Sequence, residues 1–182
     1  MTPTPPLVER AAALAAALGF ENSCTPETGR LLHALAGMRG RERVGETGTG
    51  VGYGAAWIVS ALDPSVPFFT AELDEARAAA AAELFRDDEQ VHVLAGDWHD
   101  VLAPHAPFDL LFHDGSKRQP ELDGEETLGL LAPRALIVMD DLTPGRPGPD
   151  PVRDFWLNRS DLAAVELQVS PEEAVLVAVR TR

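Results

Sequence analysis

Apolar positions along the chain recur with two periods, and the alternation of the two sets the architecture. Leu7, Leu14 and Leu18 lie on roughly one side of an alanine-rich run that Gly19 stops, which predicts a helix over Leu7–Leu18. Residues 2–6 carry three prolines and are expected to be a flexible tail. Ser23–Gly29 reads as a loop, with Thr25 or Thr28 placed to cap a second helix over Gly29–Ala36. Short β-type runs then alternate with helical ones. Strands are predicted at Val44–Thr47, Val66–Ala71, Gln90–Leu94, Phe108–His113 and Ala135–Met139. Helices are predicted at Tyr53–Leu62, Glu75–Phe85, a short stretch ending at Leu102, Glu121–Leu131 and Val152–Leu157. Residues 143–151 hold four prolines and two glycines and read as loop. Leu162–Val169 and Ala174–Val179 are apolar, β-branched runs joined by Ser170–Glu173, which predicts a hairpin.

Five β-α alternations imply a parallel sheet covered by helices on both faces, with right-handed crossovers. No internal repeat and no linker between two cores is visible, so residues 1–182 read as one domain. Residues 7–36 are its N-terminal helices, packed on the rest. In such sheets ligands sit outside the carboxyl ends of the strands.

Polar residues collect at those ends. Arg43–Gly54 holds five glycines in twelve residues, between a strand and a helix, where α/β proteins bind nucleotide-like cofactors. Acids follow at Glu46, Glu72, Asp97, Asp114, Asp140 and Asp141. Singly, each has a plainer reading as a helix cap or turn residue. Together they line one rim. Glu72 is placed for ribose hydroxyls, Asp97 for an adenine amino group, and Trp98 either for the adenine face or for the core. Asp114, Asp140 and Asp141 come from neighbouring strand ends and would repel one another, a cost that a cation such as Mg²⁺ relieves. Lys117, three residues beyond Asp114, is a candidate base, against the ordinary reading of a surface lysine.

The net charge of −14 disfavours nucleic-acid and membrane partners, and no apolar run approaches the roughly 20 residues that span a bilayer. A single cysteine, Cys24, excludes an internal disulfide and leaves little case for a thiol nucleophile. With no signal-peptide pattern at the N-terminus, a cytoplasmic protein is expected.

The ordered motifs resemble class I S-adenosylmethionine-dependent methyltransferases, in particular the metal-dependent O-methyltransferases related to catechol O-methyltransferase. They are Val-Gly-Glu-Thr-Gly-Thr-Gly-Val-Gly-Tyr from Val44, Thr-Ala-Glu-Leu-Asp from Thr70 and Ala-Gly-Asp-Trp from Ala95. Phe-Asp-Leu-Leu-Phe-His-Asp-Gly-Ser-Lys from Phe108 and the run from Gly129 to Asp140-Asp141 complete the set. The likeness extends from about Pro26 to the end. It implies a Rossmann-like αβα sandwich with a seven-stranded, mainly parallel sheet of order 3-2-1-4-5-7-6, strand seven antiparallel. It implies S-adenosylmethionine held by Glu46, Gly48, Gly50, Gly52, Tyr53, Glu72, Asp97, Trp98 and Asp114. It also implies a divalent metal on Asp114, Asp140 and Asp141, Lys117 as general base, a small-molecule hydroxyl substrate such as a catechol or other vicinal diol, and a homodimer. Three departures are visible: Asp140-Asp141 where Asp-Asn is common, Arg118-Gln119-Pro120 where a tyrosine is common, and His113 where an apolar residue is usual. The alternatives are a metal-independent methyltransferase of the same fold, a cofactor-binding module without catalysis, and an NAD(P)-dependent oxidoreductase, for which Gly50-x-Gly52-x-x-Ala55 is a loose fingerprint.

Overall fold

A computed structural model describes residues 3–115 and 120–181. Seven strands form one sheet of order β3-β2-β1-β4-β5-β7-β6. They are β1 (Val44–Thr47), β2 (Phe68–Glu72), β3 (Val91–Ala95), β4 (Phe108–His113), β5 (Leu131–Leu142), β6 (Leu162–Gln168) and β7 (Ala174–Arg180). Strands β1 to β5 pair in parallel, and β7 runs antiparallel to both β5 and β6. This is the expected topology, and the predicted hairpin is β6–β7.

The helices are α1 (Pro6–Leu18), α2 (Pro26–Ala36), α3 (Tyr53–Val59), α4 (Glu75–Leu84), α5 (Trp98–Val101), α6 (Pro120–Gly129) and α7 (Pro151–Leu157). Two cores flank the sheet. One packs Val8, Leu32, Ile58 and Leu84 from α1 to α4 against Val44, Phe68, Leu110, Phe112 and Val138. The other packs Trp98, Leu128 and Trp156 from α5 to α7 against Leu111, Ile137, Met139 and Leu176. Leu110 and Phe112 face one layer and Leu111 the other, as the two-residue period of a strand requires. Strands buried on both faces read as continuous apolar runs, which is why β4 was plain in the sequence. No helix among the described residues is long and apolar enough to cross a membrane.

Several boundaries shift by one or two residues, and three differ by more. Helix α2 begins at Pro26 rather than Gly29, because the Thr25 hydroxyl accepts from the Thr28 N–H at 3.3 Å and proline suits the first helical position. Helix α3 stops at Val59, short of Leu62. Strand β5 is far longer than Ala135–Met139. It pairs Leu131 with Phe108, bulges through Pro133 and Arg134 (φ 64°), and resumes at Leu136 opposite Leu110. Proline lacks a ladder donor and is tolerated there because the bulge leaves it unpaired.

Candidate active site

The carboxyl ends of β1 to β5 open on a cavity of about 890 Å³. Its floor is the turn after β1. The Gly48 and Thr49 N–H groups donate to the Ala71 carbonyl at 2.9 and 3.1 Å, which closes the turn over the end of β2. Gly48 lies at φ +82°, and a Cβ there would stand 2.7 Å from the Asp114 carbonyl oxygen, so this crossing admits only glycine. Gly50 packs beneath Phe20, and Gly52 faces Leu84 at the end of α4 and Phe85 just beyond it.

Two acids organise the turn. Glu72 accepts from the Gly50 N–H at 2.8 Å through Oε2. Its Oε1 accepts from the Asp74 N–H and from Arg77 Nη2, at 3.0 and 2.8 Å. Oε1 also accepts from Arg77 Nε at 3.1 Å and is saturated, so the remaining acceptor capacity lies on Oε2, since each carboxylate oxygen offers about two lone-pair directions. Glu46 is buried beneath the turn. Its Oε2 accepts from Thr70 Oγ1 at 2.5 Å, whereas Oε1 is buried without a hydrogen bond. Burial raises its pKa to about 8, the Thr70 hydrogen bond pulls it down, and the Glu72 charge adds to the rise.

Across the cavity stand the acids of β4 and β5. Asp114, Asp140 and Asp141 all line it. Asp140 is buried, and its Oδ1 has no hydrogen-bond partner. Burial raises its pKa to about 9, helped by a hydrogen bond with Glu173 and by the charges of Asp114 and Glu173. Glu173 arrives from the β6–β7 turn, and its Oε1 accepts from the Thr28 hydroxyl of α2 at 3.2 Å. Asp141 is exposed at φ 65°, a left-handed conformation that Asp and Asn tolerate better than other side chains. This turn buries one aspartate and leaves the next exposed at the cavity's edge.

The adenine side expected around Asp97 and Trp98 is more engaged than the sequence implied. Asp97 caps α5 and accepts from His99 Nδ1 at 2.5 Å. Trp98 belongs to the core and lines the cavity at once, with His99 stacked on it at 3.6 Å between ring centroids. Burial lowers the His99 pKa, but the Asp97 hydrogen bond and the charges of Asp97, Glu126 and Asp123 raise it further, so the net direction is up. His113, the departure noted beside Asp114, bonds Thr47 Oγ1 at 2.9 Å through Nδ1, and the same oxygen accepts from the Gly115 N–H at 3.0 Å. It braces β4 against β1 below the cavity.

A family profile described as "Methyltransferase domain" matches residues 46–142, over half of the chain. The chain belongs to the class I methyltransferases. Among solved structures, the methyltransferase is similar to the O-methyltransferase TomG of Streptomyces achromogenes, involved in tomaymycin synthesis and solved with SAM. The two share 26% identity over 99% of this chain and 92% of that one, with a TM-score of 0.82. An O-methyltransferase of Bacillus cereus with bound SAH shares 23% identity over 99% and 93% of the two chains, TM-score 0.82. A putative O-methyltransferase of Klebsiella pneumoniae shares 22% over 100% and 93%, TM-score 0.85. The last two likenesses speak to the fold. No curated protein sequence matches the chain.

Of the residues singled out from the sequence, Gly48, Gly50, Tyr53, Glu72, Asp97, Trp98, Asp114, Asp140 and Asp141 line the methyltransferase's cavity. Glu46 and Gly52 do not, and they support the turn from behind. Lys117 lies outside the described residues. Sequence reasoning missed Glu173, Arg77, His99, Asp123 and the Phe20–Cys24 loop, all of which line the cavity. Only Arg77 carried a local signal, one helical turn beyond the Asp74 cap. Cys24 is buried, and burial together with the Asp140, Asp114, Glu46 and Glu173 charges raises its thiol pKa, which opposes a thiolate role.

Proposed function

We propose that the protein is an S-adenosylmethionine-dependent O-methyltransferase, aided by a divalent metal and acting on a small-molecule hydroxyl of the catechol or vicinal-diol kind. The observation that carries this reading is Asp140. Its buried, unpartnered Oδ1 stands beside Asp114 and Glu173 in the cavity that the glycine turn floors. Burying carboxylates together is costly unless positive charge joins them. An all-oxygen donor set fits Mg²⁺, and Asp114, Asp140 and Asp141, whose ligand atoms do not all lie within 4.8 Å of one another, would have to draw together to hold it. Bound there, the metal supplies Lewis acidity that lowers the pKa of an acceptor hydroxyl.

The chain's own residues bind and orient. The turn at Gly48–Gly50 admits the methionine portion of the cofactor, with the Glu46 carboxyl beneath it, and Glu72 offers Oε2 to a ribose. The acceptor oxygen forms a bond to the sulfonium methyl carbon as the carbon–sulfur bond breaks. The hydroxyl proton passes to a base and the sulfonium leaves as a thioether. Lys117 is that base on the strength of the resemblance. Holding both reactants in line supplies much of the acceleration. A homodimer and a cytoplasmic setting belong to the same proposal and rest on the resemblance and the composition.

The test is calorimetry with S-adenosylmethionine and with NAD, followed by methyl transfer to a panel of catechols and vicinal diols with Mg²⁺ or chelator. We expect cofactor binding, chelator-sensitive transfer, and Asp140→Asn lowering turnover at least about a hundredfold with cofactor affinity retained. Binding of NAD alone would sink the methyltransferase reading. Turnover indifferent to Mg²⁺ and chelator would remove the metal and leave the metal-independent enzyme.

A further inference from the structure

A second cluster of ligating groups stands on the wall of the cavity, to which His99 and Asp123 belong. Asp123 and Glu126 are three residues apart on α6 and share one face. His99, from the segment after β3, points Nε2 at both, 3.0 Å from Glu126 Oε2 and 3.6 Å from Asp123 Oδ1. Among the described residues this is the one His/Cys/Asp/Glu group whose ligand atoms all fall within 4.8 Å of one another.

We infer that His99, Asp123 and Glu126 form a binding site for a divalent transition-metal ion, of which Zn²⁺ is the type. Three independent features support it. The first is spacing. Ligand bonds of about 2.1 Å place neighbouring donors roughly 3.0 Å apart in an octahedron and roughly 3.4 Å apart in a tetrahedron. The two Nε2–oxygen separations, 3.0 and 3.6 Å, fall at the lower end of that interval and slightly above its upper end. The second is the imidazole's setting. Asp97 lies outside the trio and accepts from Nδ1 at 2.5 Å, which keeps a hydrogen on Nδ1 and makes Nε2, whose proton an ion would displace, the ligating nitrogen that faces the carboxylates. A carboxylate behind the ligating histidine is the usual outer support of a metal site. The Trp98 ring, 3.6 Å from the imidazole centroid and 24° from its plane, fixes the ring's orientation. The third is access. The Asp123 side chain is 10% exposed, His99 31% and Glu126 45%, so the site has a protein wall and an open side for water ligands.

The donor set separates this site from the one at Asp140. One imidazole nitrogen with two carboxylates suits zinc and its first-row neighbours, whereas Mg²⁺ prefers oxygen alone. His99 and Asp123 both line the cavity. An ion between them would tie the segment after β3 to α6 and brace that wall.

The experiment titrates tag-free, metal-stripped protein with Zn²⁺ by calorimetry and with Co²⁺ by visible absorption, which reports nitrogen and oxygen ligation. Wild type, His99→Ala, Glu126→Gln and Asp140→Asn are compared, with circular dichroism as the check on folding. We expect one Zn²⁺ bound at this site and undisturbed by excess Mg²⁺. His99→Ala and Glu126→Gln should each weaken it at least about tenfold, and Asp140→Asn should leave it unchanged. Glu126 is half exposed, so Glu126→Gln decides the matter should His99→Ala fail to fold. Absence of Zn²⁺ uptake, unchanged affinity in Glu126→Gln, or loss of the ion in Asp140→Asn alone would each overturn the site. The readout is metal binding, so its failure is distinct from a failure of methyl transfer.

Discussion

Gly48 and Glu46 show how much of the site rests on single atoms. At Gly48 a methyl group would meet backbone at 2.7 Å, in a conformation that disfavours side chains. Gly48→Ala is expected to cost about 2–4 kcal/mol, from a left-handed residue plus a clash with atoms that cannot move aside. Gly145 is the control, since it has φ +62° and open space around it. Gly145→Ala should cost about 1 kcal/mol. Urea denaturation of both variants checks the pair, and equal losses would refute the close-crossing argument. Glu46 makes a pH prediction. Its folded pKa of about 8 exceeds its ordinary 4.5, so the folded protein holds a proton that the unfolded chain has released. Its contribution therefore turns against the fold as pH rises from 4.5 and levels off beyond about 8. A cation placed over this carboxyl would expel the proton. We expect S-adenosylmethionine binding at neutral pH to release a proton into solution, and the uncharged thioether product to release less. Calorimetry in buffers of different ionisation enthalpy measures it, and equal release for both would remove Glu46 from the cofactor's charge. Asp141 adds a third case. Its left-handed backbone suits asparagine as well as aspartate, so Asp141→Asn should fold with unchanged stability while Asp141→Val loses about 1–3 kcal/mol.

Among elements, the proline-rich segment after β5 is held by one side chain. Arg153 of α7 donates to Asp150, to Glu166 Oε2 at 2.7 Å and Oε1 at 3.0 Å on β6, and to the Thr143 carbonyl at 2.7 Å. Its side chain is 15% exposed. Arg153→Met should cost about 1–3 kcal/mol because acceptors left half-buried lose a charged donor. The segment follows Asp140-Asp141 directly, so the KM for the acceptor should rise more than that for the cofactor. A uniform fall in kcat with both KM values unchanged would speak against this role. Element existence was legible in the sequence because both periods are strong. Element ends were less so: Thr25 was legible as a cap, yet α2 starts three residues before the expected Gly29, and the bulge at Pro133 depends on pairing with the distant β4. Glu173 is the clearest loss. It reads as an ordinary turn residue, and only the pairing of β7 with β5 carries it to Asp140.

Taken whole, the molecule carries a net charge of −14. Among the described residues its cavity is lined by eight carboxylates, from Glu21 to Glu173, against the single guanidinium of Arg77. Such a cavity focuses a negative field that salt screens. Raising ionic strength from low to physiological should weaken binding of the cationic cofactor several-fold more than that of its uncharged product. Isothermal titration of the two ligands across a salt series tests this, and parallel slopes would contradict it. The sequence by itself determined the class of fold and the order of the motifs, because alternating periods and glycine spacing are local properties of the chain. It also placed Glu72, Asp114, Asp140 and Asp141 on one rim, since residues at the carboxyl ends of parallel strands must share an edge. Only the tertiary structure decided which acid is buried and which exposed, that Glu173 joins Asp140, and that His99 meets Asp123 and Glu126. Those outcomes turn on desolvation and on contacts between segments far apart in the chain, which no local pattern records.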